Sequence, residues 1–107
     1  MALAATTMLG GAETLIGVAR YVLDEDKQSA EFAIVVADPW QGRGIGRRLL
    51  ARLIAVARRR GVPRLYGDIL RINRPMLELV RKLGFVLEAH EDPTLTRASL
   101  NTMKGDP

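Results

Sequence analysis

The sequence predicts a mixed α/β domain in which two helices connect strands of one sheet. Two observations predict this class: an apolar strand leads through a glycine-rich loop into an amphipathic helix, and a second strand–helix pair follows directly. Helices that connect strands in this way make crossovers on a sheet. We therefore expect strand, strand, strand, helix, strand, helix, strand, strand, within a single domain spanning residues 1–107.

Three strands are expected before the glycine-rich loop. The first two are Ala2–Leu9 and Thr14–Leu23, separated by a glycine turn. The third, Ala30–Ala37, is apolar at nearly every position after Glu31, which predicts a central strand with both faces covered. Pro39 ends this strand because proline has no N–H to donate to a ladder.

Two helices and three strands follow. Ile45–Arg60 carries apolar residues at helical spacing, and the next strand is Arg64–Leu70. Asn73 is placed to cap a second helix that ends at Gly84. The remaining predicted elements are two closing strands and a frayed tail, at Phe85–His90, Thr94–Leu100 and residues 101–107.

Composition bounds the class of protein. The 107 residues are 48% apolar and 26% charged, as in ordinary globular domains. The absence of cysteine excludes disulfides and thiolate sites, and we expect no bound metal. No apolar run reaches the ~20 residues of a membrane helix, and the start lacks a signal-peptide pattern. We expect a cytoplasmic protein without a membrane partner.

The segment DPWQGRGIGRRLL carries glycine at positions 42, 44 and 46, directly before the first helix. The first amides of a helix lack intrahelical partners and carry partial positive charge, so they bind anions, and glycines leave them accessible. A dinucleotide GxGxxG motif would need glycine at Arg47, and the GK[ST] ending of a Walker loop is absent. The pattern favours a pyrophosphate loop, with a plain strand-to-helix turn as the alternative.

The positive charge is local. The net charge is +4, and seven arginines lie between Arg43 and Arg60. Such a cluster suits cofactor phosphates, nucleic acid or an acidic protein face, although a solvated helix face is the common alternative. The apolar seam of the helix and an aromatic content of 5% argue against nucleic acid.

A longer stretch resembles the GCN5-related N-acetyltransferases (GNAT). The similar segments are AEFAIVVAD, WQGRGIG, RRLLARLIAVARRRG, RLYGDIL and INRPMLELVRKLGF, which together span Ala30 to Phe85. In sequence these segments are most similar to the acetyltransferase domain of bacterial Pat-type protein lysine acetyltransferases. The resemblance implies an enzyme that moves an acetyl group from acetyl-CoA to an amine, with a protein lysine favoured over a small amine.

The resemblance also implies a cofactor site. The backbone of Ile34, Val35 and Val36 would pair with the pantetheine arm, in a gap where this strand and Arg64–Leu70 splay apart. Asn73 would hydrogen-bond the pantetheine region, besides capping its helix. The pyrophosphate would lie on the loop, with the residues Gln41, Gly42, Arg43, Gly44, Ile45, Gly46 and Arg47.

Acetyl transfer to an amine needs a base, because a free lysine amine has a pKa of ~10.4. Glu31 opens an apolar strand, and the resemblance makes it the candidate base; the alternative is a solvated glutamate or a pair with Arg20. Asp68 is the secondary candidate, with pairing to an arginine as its alternative. Tyr66 shares the face of Asp68 and is interpreted as a packing residue rather than a proton donor.

Three other residues are interpreted as non-catalytic: His90 as a surface residue at a strand end, Trp40 as a packing anchor beside the loop, and Met76 as part of a helix core face. Contact with the cofactor is the alternative for Trp40. The family often has a tyrosine acid seven residues after the asparagine, and this chain has Val80 there. Water or another group would then protonate the thiolate.

The family usually begins with a strand and one or two helices that form a wall of the acceptor site. By this resemblance we expect the present sequence to start at the strand that follows them. An exposed edge is then expected, and with it a possible homodimer. A non-catalytic CoA-binding or regulatory module, or an acetyltransferase for small amines, is the alternative function.

Overall fold

The computed structural model describes residues 1–103 and confirms the predicted order of strands and helices. The strands are β1 Ala2–Leu9, β2 Ala12–Leu23, β3 Ser29–Val36, β4 Arg64–Leu70, β5 Val86–Ala89 and β6 Leu95–Asn101. The helices are α1 Ile45–Arg59 and α2 Arg74–Lys82, and a short 3-10 turn, Asp38–Trp40, precedes α1. All six strands form one sheet in the order β1-β2-β3-β4-β6-β5. Within it β3 and β4 are parallel and the other pairs are antiparallel.

Both helices pack on the same face of the sheet. Gly46 of α1 lies against Leu79 of α2 and against Ile34 and Val36 of β3, because a Cβ at Gly46 would lie 3.5–3.7 Å from all three side chains. The fully buried side chains beneath the helices include Leu50, Leu53, Leu65 and Val80. This core fixes the start of α1 beside the end of β3.

The opposite face of the sheet is open, which corrects the expectation that β3 is covered on both sides. Alternate β3 residues are exposed, and Val35 on this face is 68% exposed. Tyr66 and Asp68 of β4 share the open face with Glu31, which is the register partner of Tyr66. An apolar composition predicted burial, but the described residues place helices on one face only.

The parallel strands β3 and β4 diverge, as the resemblance predicts. Their pairing covers only Ser29–Glu31 against Arg64–Tyr66. Beyond this point, Phe32–Val36 and Gly67–Leu70 face each other across a gap without forming a ladder. Unpaired backbone groups are therefore available along one edge of β3.

The ends of the elements differ slightly from the predictions. The helix α1 ends at Arg59, and Asn73 caps α2 as expected because its Oδ1 accepts a hydrogen bond of 3.3 Å from the N–H of Met76. The predicted fraying is wrong for residues 101–103, since Thr102 is fully buried and its hydroxyl donates to the carbonyl of Val62. Residues 104–107 lie outside the described part of the chain.

Candidate active site

A cavity of about 460 Å³ lies between the end of β3, the glycine loop and the first turn of α2. We call it the loop-side cavity. Most of the residues predicted to bind the cofactor line it, and these are Ile34, Val35, Val36, Gln41, Gly42, Gly44, Gly46, Arg47 and Asn73. The structure thus brings Asn73 beside residues 34–47. From the sequence, only the resemblance placed these two segments in one site.

Arg43 and Ile45 do not line this cavity. The guanidinium of Arg43 lies 4.9 Å from the centroid of the Trp40 ring, and Trp40 itself lines the cavity. Ile45 packs against the core, with its side chain turned toward Gly17 of β2. The side chain of Ile45 therefore belongs to the core, and Arg43 stacks beside the cavity on Trp40. The backbone N–H groups of both residues belong to the loop.

The loop presents a row of free amides. None of the backbone N–H groups from Gly42 to Arg47 donates to a protein acceptor within residues 1–103; the first helical bond is Arg48 N–H to the carbonyl of Gly44, at 3.1 Å. Gly42 and Gly44 have φ of 79° and 80°, where side chains are strained. A Cβ at either glycine would meet nothing within 4 Å. Bare amides at a helix N-terminus fit a pyrophosphate.

Two amide side chains fix the borders of this cavity. The Nε2 of Gln41 donates to the carbonyl of Val36 and to Oδ1 of Asp38, both at 3.1 Å, so it ties the loop to β3. Asn73 uses Oδ1 for the helix cap, which leaves its Nδ2–H donors free for a ligand. Both predicted roles of Asn73 are therefore compatible.

A second cavity of about 320 Å³ occupies the gap between β3 and β4. We call it the gap cavity. It shares Ile34, Asn73 and Met76 with the loop-side cavity, and Glu31 and Asp68 lie on its wall. A ligand that crosses the junction from the loop would thus approach two carboxylates.

The two carboxylates differ in their surroundings. Glu31 is exposed and has neither a hydrogen bond nor an ion pair within residues 1–103, so the alternative pair with Arg20 does not form. Asp68 accepts two hydrogen bonds from Arg97, at 2.9 and 3.3 Å. The Arg97 hydrogen bonds hold the pKa of Asp68 below its usual value, against the opposing effect of burial. The carboxylate of Asp68 is therefore already engaged by the protein, whereas that of Glu31 is not.

His90 is part of the Asp68 cluster and not a solvated strand end. Its Nδ1 accepts the N–H of Asp92 at 2.9 Å, which places the proton of a neutral ring on Nε2. That nitrogen lies 3.2 Å from Oδ2 of Asp68. The imidazole thus contacts the same carboxylate oxygen as a terminal nitrogen of Arg97.

Neither Tyr66 nor Val80, which occupies the position of the family tyrosine, is suited to protonate the leaving thiolate. The hydroxyl of Tyr66 donates to both carboxylate oxygens of Asp24, at 3.1 and 3.0 Å. Burial and this hydrogen bond raise the pKa of Tyr66. Val80, at the position of the family tyrosine, is fully buried in the core and lines neither cavity.

Sequence reasoning missed several residues of the site. Pro75 and Leu79 line the loop-side cavity, and Met76 both packs on the core and lines the two cavities. Arg97 was missed because it meets Asp68 only through the pairing of β4 with β6. The alternation of polar residues along Arg64, Tyr66 and Asp68 was the one available signal.

No group of three or more metal-ligating side chains occurs in the part of the chain that the structure describes. Neither helix within residues 1–103 has the length and hydropathy that a membrane crossing requires.

Comparison with known proteins places this geometry in a family. The sequence profile of the Acetyltransferase (GNAT) family matches residues 4–85. Acetyltransferase PA5475 of Pseudomonas aeruginosa is 36% identical over 77 residues, covering 72% of this chain and 41% of that protein. Acetyltransferase Pat of Mycolicibacterium smegmatis is 37% identical over 78 residues, covering 72% of this chain and 23% of that protein. The chain thus spans less than half the length of these curated relatives.

The fold has a solved counterpart with the cofactor bound. The structure of yncA from Salmonella typhimurium, described as an acetyltransferase with its cofactor acetyl-CoA, aligns with a TM-score of 0.75 at 27% identity. The alignment covers 88% of this chain and 62% of that one. The free loop amides, the open gap and the profile match agree, and the chain belongs to the GNAT family of acetyltransferases, whose cosubstrate is acetyl-CoA.

Proposed function

We propose that the chain is the catalytic domain of an acetyl-CoA-dependent N-acetyltransferase in which an amine attacks the thioester directly. The observation that carries the proposal is that the two cavities adjoin, since Ile34, Asn73 and Met76 line both. Free amides at one end fit the pyrophosphate, and an unpaired carboxylate stands at the other. Acetyl-CoA supplies the acetyl thioester, and the protein residues orient it.

The free loop amides from Gly42 to Gly46 bind the pyrophosphate, with Arg47 adding positive charge. The N–H of Gln41 is not among them, because it donates to the carbonyl of Asp38 at 3.2 Å. The free edge of Ile34–Val36 hydrogen-bonds the pantetheine arm, as an added strand would. The Nδ2–H of Asn73 donates to the same arm at the junction of the cavities. Together these groups place the thioester beside Glu31.

Glu31 accepts the proton of the acceptor ammonium and so frees the amine lone pair. The nitrogen then bonds to the acetyl carbonyl carbon, the carbon–sulfur bond breaks, and the thiolate leaves with its electron pair. The second proton of the attacking nitrogen passes to water as the amide forms. Water protonates the thiolate, since Val80 and Tyr66 cannot. Asp68 holds the wall of the gap through Arg97 and His90 and does not act as the base.

A protein lysine or a small amine can serve as the acceptor in this scheme. The likeness to Pat favours the lysine, and the open face of the sheet leaves room for either. A homodimer is compatible with the exposed edge strand β1, whose Met8 and Leu9 are 64% and 50% exposed.

The proposal is tested by supplying acetyl-CoA with a panel of lysine peptides and small amines, while released thiol and acetylated product are both measured. We expect thiol release that depends on the amine and equals the product formed. Saturable acetyl-CoA binding without turnover of any amine would instead support the alternative, a non-catalytic CoA-binding module.

A further inference from the structure

Two arginines stack on one tyrosine on the open face of the sheet. The guanidinium carbon of Arg64 lies 4.7 Å from the centroid of the Tyr66 ring, and that of Arg97 lies 5.2 Å from it. All three residues lie on β4 and β6, which pair along their whole length. We call these three side chains the arginine platform.

Each guanidinium is held in place by a hydrogen bond that its Nε–H donates. The Nε of Arg64 donates to the hydroxyl of Ser99 at 2.9 Å. Arg97 uses Nε and one terminal nitrogen on Asp68. A guanidinium that is already stacked and oriented loses less entropy when it binds a further anion.

Several donors of the platform are unused. Arg64 has no ion pair within residues 1–103, and neither of its terminal nitrogens has an acceptor there. One terminal nitrogen of Arg97 is likewise free in the described chain. A guanidinium carries five N–H donors in a planar fork, so both residues can bind an anion on the open face.

The platform borders the proposed reaction site. Tyr66 is the register partner of Glu31, and Asp68, which binds Arg97, lies on the wall of the gap cavity. Along β3 the platform lies toward the paired end, away from the glycine loop. An acceptor whose amine meets Glu31 would therefore extend across Tyr66.

We propose that Arg64 and Arg97 bind a carboxylate of the acceptor, so that the substrate is an amine that also carries a carboxylate group. This inference rests on the proposed function. Glu31 attracts the ammonium and repels the carboxylate, while the platform does the reverse, so the two ends of the acceptor are oriented. A carboxylate fits better than a phosphate dianion, because Asp24 and Asp68 already place negative charge beside the same tyrosine.

The first test compares acceptors that differ only in this group. Free L-leucine, L-methionine and L-phenylalanine are each assayed against their carboxamides, and lysine peptides with a neighbouring glutamate against the same peptides with glutamine. We expect kcat/KM to favour the carboxylate by about 10-fold or more in one of the two series, since a hydrogen bond to a charged group contributes this much. The series in which this preference appears tells whether the acceptor is a free amino acid or an acidic protein segment.

The variants Arg64→Gln and Arg97→Gln should lower this preference to about twofold, mainly through KM of the acceptor, and leave KM of acetyl-CoA unchanged. Arg59→Gln, on the exposed side of α1, is the matched control and should keep the preference. Equal kcat/KM for acid and amide in the wild type, or an equal loss of both in the variants, would overturn the inference.

A binding readout separates this inference from the proposed function. The Nε–H signals of Arg64 and Arg97 are followed by NMR in the CoA-loaded protein during titration with N-acetyl-L-leucine or its amide, and with an acetyllysine peptide carrying glutamate or glutamine. We expect saturable shifts with the carboxylate form of one pair only. If no amine is turned over but these shifts occur, the enzyme proposal fails and the anion site stands; equal or absent shifts with both forms reject the site.

Discussion

The loop-side cavity and the gap cavity differ in the groups that line them. The loop-side cavity is lined by residues of the stretch Ile34 to Arg47, three of them glycines, and by the first turns of α2. The gap cavity is lined by residues of β3 and β4 with Asn73 and Met76, and two of its lining residues are carboxylates, Glu31 and Asp68. The first has donors without protein partners, while the second has a carboxylate, Asp68, that is already paired. The comparison separates the proposed cofactor-binding site from the proposed acid–base site beside it.

The largest expected effect distinguishes the two carboxylates of the gap. In Glu31→Gln we expect kcat to fall by ~10²–10⁴-fold, the usual contribution of a general base. The KM for acetyl-CoA should stay constant, because Glu31 lies beyond the loop-side cavity. Steady-state kinetics measure both. Glu78→Gln on the surface of α2 is the control, and an active Glu31→Gln enzyme would remove this residue from the mechanism.

Phe32, which lines the gap cavity, is in close contact with Gly67 of β4. A Cβ at Gly67 would lie 2.7 Å from Cε1 of Phe32, well inside contact distance. We expect Gly67→Val to lower the free energy of unfolding by about 2–3 kcal/mol through overpacking. Urea denaturation measures this. Gly67→Ala should lower the free energy of unfolding less in a Phe32→Leu background than in the wild type. If the losses of the two substitutions simply add, the contact between Gly67 and Phe32 does not affect stability.

The loop-side cavity is tested with two glycines of similar geometry. Gly44 and Gly10 both have positive φ, of 80° and 56°, and a Cβ at either meets nothing within 4 Å. Alanine at each should lower stability by about 1 kcal/mol through left-handed strain. Only Gly44→Ala should raise the Kd of acetyl-CoA, by ~10-fold, since its methyl group enters the anion site. Equal calorimetric Kd values for the two variants would contradict a backbone cradle.

Asn73 belongs to both cavities, and its two functions can be separated. Asn73→Ala should destabilise the protein by about 1 kcal/mol through loss of the helix cap. Asn73→Asp retains an oxygen for the N–H of Met76 and should leave stability almost unchanged. Both variants lose the Nδ2–H donors and should bind acetyl-CoA several-fold more weakly. Normal binding by Asn73→Asp would restrict Asn73 to capping.

The smallest expected effect concerns the stability contributed by Asp68, the carboxylate paired with Arg97. The pKa of Asp68 is lowered, chiefly by hydrogen bonds from Arg97. Its stabilising effect is therefore complete above its unfolded pKa of about 4 and is lost as the pH falls through the lower folded value. Stability of the wild type should fall more steeply below about pH 4 than that of Asp68→Asn, by under 1 kcal/mol. Parallel pH profiles would show that the pair adds nothing.

The contrast also explains what the sequence could predict. The glycine loop, the cap at Asn73 and the apolar face of α1 are local, because each depends on residues within a few positions of one another. The partners of Asp68 and Tyr66 depend on the register of strands far apart in the chain, as with Arg97 and Asp24. Exposure of Val35 was missed for a related reason, since an apolar strand does not reveal which of its faces is covered.

The central claim is that acetyl-CoA lies along the loop and the free edge of β3. An NMR titration of ¹⁵N-labelled protein with acetyl-CoA tests it most directly. We predict saturable shifts of the backbone amides of Gln41–Gly46 and Ile34–Val36, with those of β5 unchanged. Saturable binding that leaves these two segments unshifted, or no binding by the folded protein, would contradict the account.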